Sequence, residues 1–278
     1  MPELPELEVV REVLHRRVLG QTITEVLVLP PGGPIVTRDM TGRDFRSTLG
    51  GAKIVAVERR GKFLVFSFEP RPEPLFLAIN PKLTGRLQLA PASEKRLPKT
   101  HVVLTLSGGH ELRYVDQKQM GQLYLARDLV IVPEYARLGP EPFDVSLETF
   151  RARLKPFRGE IKGVLTRGEF IAGIGNAYAD EILWAARLHP YRKRTQLTPA
   201  EVDRLYSAMR STLAEAVDKV RIEMQENIHL KPRDFLAVHM KTGEPCPRCG
   251  TPISLIGANQ RITNFCRSCQ PGGLIKGM

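Results

Sequence analysis

No apolar run in the 278 residues approaches the eighteen or so that a membrane-spanning helix requires, which argues against a membrane role. The start lacks a basic stretch followed by an apolar one, so no secretory leader is read and a cytoplasmic, nucleoid-associated location is expected. There is no internal repeat and no long low-complexity tract. Cysteine is scarce: four residues, all between Cys246 and Cys269, too local for a disulfide framework spread over a fold. Acidic residues are also short, with 30 Asp and Glu against 41 Lys and Arg, a net charge of +11 and a pI near 9.7. That imbalance favours a polyanionic partner, nucleic acid first, although charge alone sets only non-specific affinity.

What is present begins at the first six residues, Met1-Pro2-Glu3-Leu4-Pro5-Glu6. Removal of the initiator methionine, which the small second residue permits, would leave a proline whose nitrogen is a free secondary amine. An α-amino group titrates near pH 8, so a useful fraction is unprotonated at neutrality and can act as a nucleophile. Two carboxylates, Glu3 and Glu6, follow within reach. The alternative at this point is a loosely ordered, solvated lead-in.

The segment from Leu7 to Gly20 spaces Val10, Val13, Leu14 and Val18 at the helical period, with Gly20 suited to its stop. This would place the amine at the head of a docked helix, where the partial positive charge of the terminus helps keep it unprotonated. From Thr22 to Leu125 the pattern changes to short β-branched runs. Strands are expected over Ile23–Leu29, Lys53–Glu58, Lys62–Phe68, Leu75–Ile79, Arg86–Leu89, Val102–Leu106, Glu111–Val115 and Gln122–Leu125. Such spacing predicts a sandwich or barrel. After Asp128, the turn-rich Leu138-Gly139-Pro140-Glu141-Pro142 reads as a linker into a helical part. Ser146 starts one helix there. Thr198-Pro199-Ala200-Glu201 starts another, with a cap, a proline at the first position and a glutamate at the third, running to about Gln225. Between them a glycine-rich turn, Gly173-Ile174-Gly175-Asn176, leads into a helix and is suited to gripping phosphate.

The most specific motif is at the C-terminal end. Cys246-Pro247-Arg248-Cys249 and Cys266-Arg267-Ser268-Cys269 flank strand-like Pro252–Ile256 and Arg261–Phe265. Four thiolates at this spacing predict a zinc ribbon with one structural Zn and no open coordination position, an iron–sulfur site or redox pair being the alternatives.

Taken together, Pro2-Glu3-Leu4-Pro5-Glu6, Arg59-Arg60-Gly61-Lys62, Arg113-Tyr114-Val115-Asp116, Leu138-Gly139-Pro140-Glu141-Pro142, Gly173-Ile174-Gly175-Asn176 and the ribbon with Gln260-Arg261 resemble the formamidopyrimidine-DNA glycosylase and endonuclease VIII family over nearly the whole chain. The resemblance implies an α+β multidomain protein. Its expected parts are an N-terminal catalytic β-sandwich domain (1–130), a helix-two-turn-helix DNA-binding domain (131–228) and a zinc finger domain (229–278). It implies base-excision repair: removal of oxidised bases by a DNA glycosylase through an N-terminal proline Schiff base, then nicking of the abasic strand as a lyase by β,δ-elimination. The partner would be double-stranded DNA containing damaged bases or abasic sites, bound by a monomer. The alternative from another class is a non-catalytic or lyase-only protein binding damaged DNA on the same scaffold.

By the same resemblance Pro2 is the nucleophile, Glu3 the acid that opens the sugar ring and Glu6 an orienting group. Lys62 would serve phosphate binding and β-elimination, and Arg261 the flanking phosphates and δ-elimination. Asn176 would hold a phosphate, with His101 and Arg158 as further DNA contacts. Enzymes that extract a base must fill the hole it leaves. Here Leu83 stands where the family usually has methionine, Lys118 where it has arginine and Met120 where it has phenylalanine. Leucine and methionine serve as apolar wedges, whereas lysine lacks the forked contacts of arginine. The segment from Lys231 to Gly243 is shorter than the family's loop over flipped 8-oxoguanine, which leaves oxidised pyrimidines, ring-opened purines and abasic sites open as substrates.

Overall fold

The computed structural model describes residues 1–69, 73–258 and 261–272, with the side chains of Ala258 and Arg261 excluded. Gln260, named above in a motif, lies outside the described residues. The chain divides into two compact units, one made of residues 1–137 and 220–232, the other of 138–219 and 233–278.

In the first unit α1 (Leu4–Val18) starts three residues earlier than periodicity alone predicts. Pro5 sits in the first turn, where no intrahelical N–H is required, and the Glu6 carboxylate accepts the Glu3 backbone N–H at 2.8 Å. These two features carry the helix back to the terminus. Leu4, Leu7, Val10, Val13, Leu14 and Val18 form its buried face.

One sheet of this unit has the order β1-β7-β8-β6, from β1 (Ile23–Val28), β6 (Gly85–Pro91), β7 (Thr100–Leu106) and β8 (His110–Asp116), all antiparallel. The other has the order β2-β9-β5-β4-β3, from β2 (Thr37–Asp39), β3 (Ile54–Arg60), β4 (Phe63–Phe68), β5 (Leu75–Asn80) and β9 (Gln122–Ala126). The short β2 runs parallel to β9. Every residue of β4 except Ser67 is buried, which requires cover on both faces of that strand. This is the expected sandwich. Two one-turn helices, α2 (Gly32–Val36) and α3 (Phe45–Leu49), are additions. Neither is long enough to show a periodic signal in sequence.

The second unit packs α4 (Leu147–Leu154), α5 (Ile161–Leu165), α6 (Asn176–Ala185) and most of α7 (Pro199–Met224). Phe150, Phe170, Tyr178, Leu183, Leu205 and Met209 form the centre of its core. Both predicted starts hold. The Ser146 hydroxyl accepts from Thr149 N–H at 3.1 Å. Thr198 and Glu201 exchange side-chain and backbone bonds at 3.3 and 2.8 Å. The ribbon follows as the antiparallel hairpin of β10 (Ser254–Ala258) and β11 (Arg261–Phe265).

Candidate active site and metal centre

In the first unit Pro2 lies buried at the head of α1, and Glu3 and Glu6 are 2% and 1% exposed. The terminus is therefore packed, not a solvated lead-in. Pro2 and Glu6 share the wall of an apolar pocket with Leu7, Leu64, Ile79, Leu87 and Ile228. Met1 still precedes Pro2 here, so the proline nitrogen is an amide until that residue is removed.

Lys62 is half-buried in the two-residue turn joining β3 to β4. Gly61, at φ +57°, supplies the left-handed backbone that this tight turn needs. Arg59 places the turn. Its Nε donates to Glu8 of α1 at 2.6 Å, and its Nη1 donates to Gly61 O at 3.2 Å. Burial works to raise the Glu8 carboxyl, but hydrogen bonds and charge from Arg59 and Arg11 outweigh it and hold the group below its ordinary value. The Glu8–Arg59 pair is a supporting contact that sequence reasoning missed, because nothing local relates two residues 51 positions apart.

Leu83 and Met120 stand on separate loops and are 43% and 48% exposed. Lys118 is exposed beside Met120. His101, by contrast, is buried, and its Nε2–H donates to Asp116 O at 2.8 Å. Gly32 packs so close to the imidazole that a Cβ there would collide with it. The imidazole is thus packed inside this unit.

In the second unit Asn176 opens α6, and its Nδ2–H donates to Ile262 O of β11 at 2.8 Å. The phosphate-type turn and the ribbon hairpin are thereby joined. Arg158 is exposed in the loop between α4 and α5. Arg261 begins β11.

Four residues after Asn176, Asp180 is buried between Lys162 Nζ at 2.6 Å and His239 Nδ1 at 2.8 Å, and it also accepts Asn264 N–H at 3.2 Å. Glu181 accepts three successive backbone N–H groups, Ala237, Val238 and His239, at 2.8 to 2.9 Å. Burial nevertheless pushes its carboxyl above the ordinary value. One helix therefore carries the phosphate-type turn and fastens the segment entering the ribbon.

The sulfur atoms of Cys246, Cys249, Cys266 and Cys269 all lie within 4.8 Å of one another, with Cys246–Cys269 at 3.9 Å and Cys249–Cys266 at 3.5 Å. Tetrahedral zinc with bonds of about 2.3 Å separates its sulfurs by about 3.8 Å, so the donor set fits one Zn. Trp184 of α6 donates its indole N–H to Cys246 Sγ at 3.4 Å, a bond that also steadies the thiolate. Among the described helices, none is long and apolar enough to cross a membrane.

Residues 1–123 match the formamidopyrimidine-DNA glycosylase N-terminal domain, 138–226 the formamidopyrimidine-DNA glycosylase H2TH domain, and 243–272 the zinc finger found in FPG and IleRS. The formamidopyrimidine-DNA glycosylase of Symbiobacterium thermophilum is 39% identical over 98% of this chain and 90% of its own length. That of Enterococcus faecalis is 37% identical over 97% of each. A solved complex between the Lactococcus lactis protein and DNA containing an abasic site superposes with a TM-score of 0.85 at 30% identity, over 97% of this chain and 100% of that one. A second, with DNA containing N7-benzyl-Fapy-dG, gives 0.85 at 31% identity, over 98% and 100%.

Proposed function

Because the chain belongs to the formamidopyrimidine-DNA glycosylase family, we propose that its removal of oxidised bases, formamidopyrimidines among them, begins at Pro2. The protein is a base-excision repair DNA glycosylase with abasic-site lyase activity, and it carries one structural zinc. What carries the assignment of Pro2 is its burial at the head of α1, on a pocket wall shared with Glu6 and next to the capped Glu3.

After loss of Met1 the secondary amine attacks the deoxyribose C1′, and the bond from C1′ to the damaged base breaks. The base leaves with the electron pair and takes up a proton. Glu3 protonates the ring oxygen as the sugar opens, and the nitrogen, already bearing two carbons, becomes an iminium. That cation acidifies the 2′ hydrogens, so a base can remove one while the 3′ phosphate departs. A second elimination expels the 5′ phosphate. Lys62 assists the first elimination, and Arg261 steadies the phosphates flanking the site and assists the second, a planar guanidinium fitting their oxygens in pairs. Glu6 holds the Glu3 backbone and so orients the acid. Asn176, Arg158 and Lys118 contact the DNA backbone or opposite strand, Leu83 and Met120 fill the vacated stack, and the start of β7 at His101 supplies a further DNA contact. Cys246, Cys249, Cys266 and Cys269 hold the zinc, which supplies structure to the ribbon and takes no part in the chemistry.

The division into 1–130, 131–228 and 229–278 is retained for these three tasks. The protein works as a monomer on double-stranded DNA, in the nucleoid.

Borohydride reduction in the presence of abasic DNA tests the nucleophile. Wild-type protein, shown by mass to have lost Met1, is expected to be trapped covalently, and the adduct to vanish in Pro2→Gly. Absence of trapping by such a wild type would remove Pro2 from the mechanism.

A further inference from the structure

The motif Arg113-Tyr114-Val115-Asp116 takes no part in the chemistry above, yet its last residue is the most heavily bonded carboxylate near the wedge loops. Asp116, fully buried at the end of β8, accepts on Oδ1 from the Thr84 hydroxyl and from Lys118 N–H at 3.2 Å. Its Oδ2 accepts from Gly121 N–H at 2.8 Å and from the Tyr114 hydroxyl at 3.2 Å. The Thr84 oxygen itself accepts from Lys118 N–H at 3.0 Å. Burial, then the neighbouring Asp116 charge, pushes the Tyr114 phenol up, so it remains a donor.

Two loops end on this group. The first, from Pro81 to Thr84, closes at Gly85, and the second, from Gln117 to Met120, closes at Gly121. A Cβ on either glycine would collide with the Tyr114 hydroxyl. Each loop also holds one non-glycine residue in the left-handed region, Lys82 at φ +47° and Gln119 at φ +54°, a conformation that persists only where surrounding bonds enforce it. Each turns its apolar side chain, Leu83 or Met120, outward.

We propose that Asp116 is a positioning residue for base extrusion: one buried carboxylate holds both loops, so that Leu83 and Met120 enter the base stack as a pair with set spacing. The proposal rests on the reading of these two residues as wedges. Asp116 touches neither the substrate nor the reacting atoms.

The test uses the full chain with its zinc. One duplex carries a formamidopyrimidine lesion with 2-aminopurine as the adjacent base, and a second carries a preformed abasic site with no base to extract. Asp116→Asn keeps the shape of the group but replaces one acceptor oxygen with an N–H donor. The 2-aminopurine signal and base excision are expected to fall about 10-fold or more, the scale of lost bonds to a buried charge, while strand cleavage at the abasic site stays within about threefold. Thr84→Val removes the first loop's bond to Asp116 and its bond to Lys118 N–H but leaves the second loop's own bonds to Asp116, and should give a smaller loss that is not additive with Leu83→Ala.

Equal losses on both duplexes, or unchanged excision by Asp116→Asn, would overturn the assignment. If Asp116→Asn does not fold, a folded Thr84→Val with unchanged excision overturns it instead. Failure of the wedge reading looks different, because Leu83→Ala and Met120→Ala would then leave both the fluorescence and excision unaltered.

Discussion

Replacing Glu8 by Gln tests how the turn bearing Lys62 is held. The Glu8 side chain is 20% exposed and that of Arg59 7%, with Nε and Oε2 2.6 Å apart. Arg11 Nε donates to the other carboxylate oxygen at 2.7 Å. A solvent-exposed pair contributes roughly 0.2–1 kcal/mol, and severing a fully buried one costs about 3–5 kcal/mol. Glutamine keeps one acceptor oxygen but removes the charge that Glu8 sets against the buried guanidinium, so an intermediate loss of about 2 kcal/mol is expected at pH 7. For a chain of this size that corresponds to a fall of about 4–8 °C in thermal midpoint, measurable by circular dichroism.

The pH dependence gives the sharper check. The Glu8 carboxyl lies below its ordinary 4.5 in the folded protein, so the unfolded state binds the proton more readily. The stabilisation is complete above about pH 4.5 and fades as pH falls through the folded value. The gap between wild type and Glu8→Gln should therefore hold from pH 7 down to about 4.5 and shrink below it. A gap that is absent at pH 7, or unchanged across the acid range, would refute the role given to this pair. The same variant should also slow strand cleavage at a preformed abasic site, since Arg59 binds Gly61 next to Lys62.

Trp184 is the single tryptophan of the chain, bonded to Cys246 Sγ and lying 4.1 Å under the Arg248 guanidinium. Chelation of the zinc, a loss on the order of 10 kcal/mol to such a segment, should red-shift its emission in step with metal release measured by elemental analysis. Unchanged emission after complete removal would contradict the link. Arg261→Ala should weaken binding to every DNA sequence alike and reduce the slope of log affinity against log salt by about one unit. An unchanged slope would show that Arg261 does not contact phosphate.

The proposed nucleophile and the metal ligands could be singled out from sequence because their chemistry resides in residue type and short spacing. A proline next to the initiator methionine, two carboxylates within four residues of it and two CxxC pairs each carry meaning without a fold. The strands and the long helices were legible as well, since burial of one face imposes a period of two or 3.6 on the chain. Periodicity missed the first turn of α1, where Pro5 and the Glu6 cap act in place of an apolar repeat. It was also silent on His101, whose burial depends on a glycine 69 positions earlier packing against its ring.

By itself, then, the sequence determined which atoms to propose as reacting, which metal the chain can hold and where its regular elements run. Tertiary structure alone decided what holds those atoms in place. Glu8 meets Arg59 across 51 positions, Thr84 meets Asp116 across 32, and Asp180 meets His239 across 59. Such pairs leave no local pattern, because a buried charge is tolerated only where folding brings partners to it from distant parts of the chain.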